Sequence, residues 1–125
     1  MYDPAFRDRA LALLSRVGEV TGRAMFGGYG FFERDAIFGL LDGDRLYFKV
    51  DAASKARYLE AGSRPFNPYD APEDTLFYYA VPREVLDDPV LLEEWAQAAI
   101  TVGHATKRAR KRRSAPDTRP QSVSR

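Results

Sequence analysis

Apolar residues along this 125-residue chain change their spacing several times, and the changes divide it into elements. Phe6, Ala10, Leu13, Leu14 and Val17 recur at helical spacing behind Asp3 and Pro4, a good cap and first-turn pair, so the chain opens on a helix closed by Gly18. From Arg23 to Val50 the pattern becomes short aromatic and branched runs. Turn residues separate them, "ERD" at Glu33 to Asp35 and "DGD" at Asp42 to Asp44, predicting antiparallel strands near 23–32, 36–41 and 45–50. In the third strand Leu46, Phe48 and Val50 share one face, and Tyr47 and Lys49 share the other.

Helical spacing returns in "AASKARYLEA", which Asp51 can cap and Gly62 ends. The three prolines of "RPFNPYDAPED" forbid a central ladder and make it an extended edge strand and loop, whereas "TLFYYAVP" is dense in residues that fit a pleated surface. Asp88 and Pro89 open a last helix with an apolar stripe of Leu92, Trp95, Ala99 and Val102. Glu93 and Glu94 lie near its start and basic residues at its end, as the helix dipole prefers. The sum is a two-layer α+β domain, an antiparallel sheet with helices in the order α-β-β-β-α-β-β-α, over residues 1–106. Residues 107–125 form a basic tail, a helical extension followed by "APDTRPQSVSR", which has no hydrophobic anchor and is expected to be disordered.

Composition narrows the chemistry. Hydrophobic residues at 45% and aromatics at 13% are ample for one core. The absence of cysteine excludes disulfides, thiolate zinc sites and cysteine nucleophiles. Charged residues interrupt the first twenty positions, and the longest apolar run, "AIFGLL", is too short to cross a bilayer, so a soluble, cytoplasmic chain without membrane contact is expected. The net charge of +1 conceals a division: residues 107–125 hold eight basic residues against Asp117, net +7, while residues 1–106 hold 11 basic and 17 acidic residues, net −6.

The stretch "RAMFGGYGFFERD", Arg23 to Asp35, sets three glycines among four aromatics. A phosphate cradle would need a helix N-terminus after the glycines, and "YGFF" reads as strand. "GYGFF" overlaps an RNA-binding aromatic motif, but Gly27 and Arg34 occupy positions where that motif wants a basic residue and an aromatic, and a leading helix leaves its first strand no place. The remaining reading is a strongly bent strand, with Gly27 and Gly28 allowing a bulge or close backbone approach and the aromatics divided between two faces.

Other candidates for catalysis or metal binding are sparse. His104 is the single histidine and has no cysteine or second histidine to share a metal. Asp42 and Asp44 suit a turn, and Asp87 and Asp88 suit helix caps. Lys49 and Asp51 could form an acid and base pair, but a strand-end lysine beside a capping aspartate needs no catalysis to explain it. Ser54 and Ser63 have no histidine base in an evident motif. No catalytic residue, metal or cofactor is therefore assigned.

The tail is the strongest functional lead. In "KRARKRR" every residue but Ala109 is basic, and Lys107, Arg108, Arg110, Lys111, Arg112 and Arg113 are the candidate nucleic-acid contacts. Like charges three and four apart repel, so the segment should fray as a helix unless a polyanion neutralises it. The expected association carries no sequence code.

Taken in order, "RAMFGGYGFF", "GDRLYFKVD", "RPFNPY" and "YYAVPREVLDDPVLLEEWAQAA" resemble the N-terminal domain of the TfoX/Sxy family of bacterial competence regulators, over roughly residues 5–102. The resemblance implies an α+β fold like that of secretion chaperones, in the element order read above. Full-length family members are transcriptional coactivators that work alongside a cyclic-AMP receptor protein and carry a helical C-terminal domain, whereas here only the basic tail follows Val102. The implied role is a stand-alone, non-enzymatic regulatory or adaptor protein that docks a protein partner such as transcription machinery, with nucleic acid held by the tail and a homodimer possible. The alternatives are a chaperone-like interaction module whose tail is incidental, and a small-ligand binder or enzyme using the aromatic sheet face.

Overall fold

The computed structural model describes residues 2–25 and 27–114. Its elements are α1 (Pro4–Leu14), β1 (Val20–Met25), β2 (Gly28–Glu33), β3 (Ala36–Asp42), β4 (Arg45–Lys49), α2 (Ala52–Glu60), a 3₁₀ turn (Glu73–Thr75), β5 (Tyr78–Ala80), a short α3 (Arg83–Leu86) and the long α4 (Pro89–Ser114). The five strands form one antiparallel sheet in the order β1-β2-β3-β4-β5, which establishes the α+β class.

The stretch 23–32, expected as one bent strand, falls within a hairpin. Met25 pairs with Gly28, and Gly27 supplies the positive φ of 77° that a two-residue link requires. The aromatics on both sides of the glycines mask this turn. The expected bulge lies instead in the partner strand: Phe31 faces Gly39 and Phe32 faces Ile37, leaving Phe38 as the extra residue of β3. Close approach does hold at Gly28, where a Cβ would lie 2.6 Å from the Leu41 carbonyl oxygen. The aromatics divide as alternation requires. Phe31 is buried, with Tyr29 edge-on at 5.4 Å, while Phe32 points to the other face under the Arg23 guanidinium at 4.5 Å.

The proline-rich segment runs along β5. Phe66 N–H donates to the Tyr78 carbonyl at 2.8 Å and Ala80 N–H to the Arg64 carbonyl at 2.9 Å, while Pro65, which has no N–H, sits between them.

One face of the sheet carries the core, in which Phe31, Phe38, Leu46, Phe48 and Tyr79 meet Leu14 of α1 and Leu92, Ala96 and Ala99 of α4. Tyr58 brings α2 into this layer, with its ring edge-on to Trp95 at 4.8 Å. Asp51 and Ser54 form a reciprocal capping box at the start of α2, and Asp88 accepts N–H bonds from Val90 and Leu91 at the start of α4. Asp87, expected as a helix cap, stands at the C-terminal cap of α3. No helix among the described residues is long and apolar enough to cross a membrane.

Helix α4 crosses β3 at Gly103, buried against the strand. A Cβ at this position would lie 2.5 Å from the Ile37 carbonyl oxygen and 3.3 Å from Phe38 Cβ, contacts that no small side-chain movement relieves. Gly103→Ala is therefore expected to cost about 1–3 kcal/mol through overpacking. Urea unfolding of wild type and variant measures it; equal midpoints would mean that the helix does not rest on the strand as described.

A basic cleft as the candidate functional site

Past Gly103, α4 continues as one helix to Ser114. Like charges along this stretch would weaken it as an isolated helix, and at its start two contacts tie the helix to the β2–β3 turn. His104 Nε2 lies 2.7 Å from Glu33 Oε1, and with Glu33 ionised the imidazole is the donor. One turn on, Lys107 Nζ donates to the Asp35 carbonyl at 3.0 Å and pairs with its carboxylate at 3.1 Å. The ion pair lowers the Asp35 pKa.

Glu33 closes the inner end of this clamp. It is buried at the end of β2 and also accepts the Glu19 N–H at 3.0 Å, while a Cβ on Gly18 would lie 2.8 Å from its Cγ. The His104 hydrogen bond is the main reason its pKa lies below the ordinary carboxylate value, outweighing burial, with the Glu19 N–H adding to it. Read only as a turn residue, Glu33 gave no sign of this role. The available signal was two lone polar residues, one at a strand end and one on an apolar helix, each needing a partner.

Where the helix overhangs the start of β3 and the end of β4 it leaves a cleft of about 490 Å³. Phe32 and Ile37 supply apolar wall, and Lys107, Arg110 and Lys111, three and four residues apart on α4, supply positive charge. Lys49 joins them from β4 and is only 8% exposed. It does not pair with Asp51, which caps α2. Lys49 Nζ instead lies 3.4 Å from Tyr78 Oη and 4.6 Å from the centroid of that ring. Burial, reinforced by repulsion from Arg110, lowers the Lys49 pKa, and burial pushes the Tyr78 hydroxyl up to about 12.

Of the six tail residues singled out in the sequence, Lys107, Arg110 and Lys111 thus line the cleft, while Arg108, Arg112 and Arg113 are exposed and do not line it. Residues 115–125, expected to be a disordered end, lie outside the described residues. Among the described residues no group of three or more histidines or acids is placed to hold a metal ion.

Comparison with known proteins matches residues 12–102 to the model of the TfoX N-terminal domain. The chain belongs to that family. A relative, DNA transformation protein TfoX1 of Aliivibrio fischeri (strain ATCC 700601 / ES114), is 36% identical over 59 residues, which is 47% of this chain and 28% of the relative. The chain thus spans well under two thirds of that protein's length. The matched family segment ends at Val102, one residue before the crossing at Gly103, so the basic part of α4 lies beyond it and Lys49 within it.

The clamp gives a pH prediction. Because the Glu33 pKa is lowered on folding, its stabilisation is complete above the unfolded value near 4.5 and is lost as pH falls through the lower folded value. Glu33→Ala should cost about 1–3 kcal/mol at neutral pH. Glu33→Gln should flatten the acid limb of the stability curve, and denaturant titrations between about pH 3 and 7 measure it; an acid limb unchanged from wild type would mean that the clamp is absent.

Proposed function

We propose that this protein is a non-enzymatic, cytoplasmic regulatory or adaptor protein of the competence type, in which the TfoX-like body docks a protein partner and the basic end of α4 holds it near nucleic acid. The observation that carries the reading is the helix itself. Six cations between Lys107 and Arg113 stand on a helix continuous with the core, attached to a body of net charge −6. An acidic body repels a polyanion, so the contact falls to the cationic end of α4.

The name of the relative, a DNA transformation protein, supports a role in the handling or regulation of DNA uptake. For the docking of a protein partner, the outer sheet face offers a surface. Met25, Ile37, Leu40, Phe66 and Tyr78 line an apolar cavity of about 260 Å³ there.

Binding should be electrostatic and without sequence code. With six phosphates neutralised, the slope of log K against log salt is expected near −5 for duplex DNA. Replacing Arg108, Arg112 and Arg113 by Gln should make that slope shallower by about 3. Fluorescence anisotropy over a salt series measures both slopes; identical slopes and affinities for the two proteins would remove the helix from the function.

A further inference from the structure

We infer that the cleft binds one nucleotide unit, with its phosphate between Lys49, Arg110 and Lys111 and its base against Phe32 and Ile37. The inference rests on the nucleic-acid reading above and deepens it: it moves the decisive contact from the exposed helix surface to a defined place and gives that place a preference for unpaired bases.

Lys49 is the reason. A lysine this buried ordinarily has a carboxylate beside it, because an unpaired charge out of water is costly. Lys49 has none among the described residues; its contacts are the Tyr78 hydroxyl and ring, and Arg110 adds repulsion. Asp35, the acid that also lines the cleft, is engaged by Lys107 at 3.1 Å. The buried Lys49 charge thus has no acid of its own among the described residues, the acid that lines the cleft being held by Lys107, and a bound anion is what balances it.

The size and walls narrow the anion. At about 490 Å³ the cleft falls within the range of roughly 300–1,000 Å³ typical of organic-ligand pockets, more room than a lone phosphate uses. Phe32 and Ile37 offer an apolar surface next to the charges, and Arg23 stacks on the Phe32 ring at 4.5 Å, which helps to hold it. A phosphate joined to a flat apolar ring matches both walls. In a single strand such rings are free to turn outward, whereas in a duplex they are stacked inside and only phosphates are offered.

The test uses the full chain, a labelled oligothymidylate 12-mer, its duplex with oligoadenylate, and thymidine monophosphate as the free-nucleotide probe. Wild type should bind the single strand more tightly than the duplex, and Lys49→Met should remove that preference by about tenfold or more while duplex binding changes little. Because the substitution removes an uncompensated charge, the variant should melt no lower than wild type. Exposed Lys111→Gln should weaken single-strand binding in the same sense, which keeps the test valid should Lys49→Met destabilise the fold. The monophosphate should shift the amide resonances of Phe32, Ile37 and Lys49 if a free nucleotide suffices; loss of strand preference without those shifts assigns the site to a strand.

Equal effects of both substitutions on the two DNA forms, or no effect, together with unmoved amides, overturn the inference. The helix reading then still stands if the Arg108, Arg112 and Arg113 replacement weakens binding. Conversely, wild type that binds neither DNA form but shifts those amides with the monophosphate refutes the helix reading and leaves the cleft as a free-nucleotide site.

Discussion

At Gly103 the backbone of α4 lies directly on the carbonyl of Ile37, with space for a hydrogen and none for a methyl group. This contact determines how far the helix lies from β3 and where it leaves the sheet. The Glu33–His104 and Asp35–Lys107 pairs, one turn apart, then fix its direction. Packing at the crossing and the two contacts beyond it hold the helix against the sheet up to Lys107, where its run of like charges begins. The cleft is the space between that fixed overhang and the sheet below.

Much of the frame was legible in the chain. The Asp3-Pro4 and Asp88-Pro89 starts, the Asp51 cap, the "DGD" turn and the alternation of Leu46, Phe48 and Val50 are local signals, decided by residues a few positions apart. The hairpin inside "RAMFGGYGFF" was less legible because its turn residue, Gly27, is followed at once by glycines and aromatics that suit a strand.

The site was only half legible. The basic run named Lys107, Arg110 and Lys111, but not that these three share one side of the helix over β3 and β4. Lys49 was assigned to the face opposite the core, correctly, yet an alternating pattern cannot say that a helix from the far end of the chain will cover that face near the strand end. Glu33 and His104 lie 71 positions apart, and nothing local pairs them. Long-range contacts between single polar residues leave no periodic trace.

The sheet also has an unequal pair of edges. Arg64 to Phe66 lie along β5, whereas β1 carries the other margin with Thr21, Arg23 and Ala24 exposed. An open row of amides invites a strand from another molecule and, through it, aggregation. Arg23 stands in the middle of that row, and a charged residue on an edge strand is one of the means by which such an edge is blunted. The residue that props the cleft wall thus also acts as a gatekeeper, discouraging the molecule from stacking edge to edge into fibres.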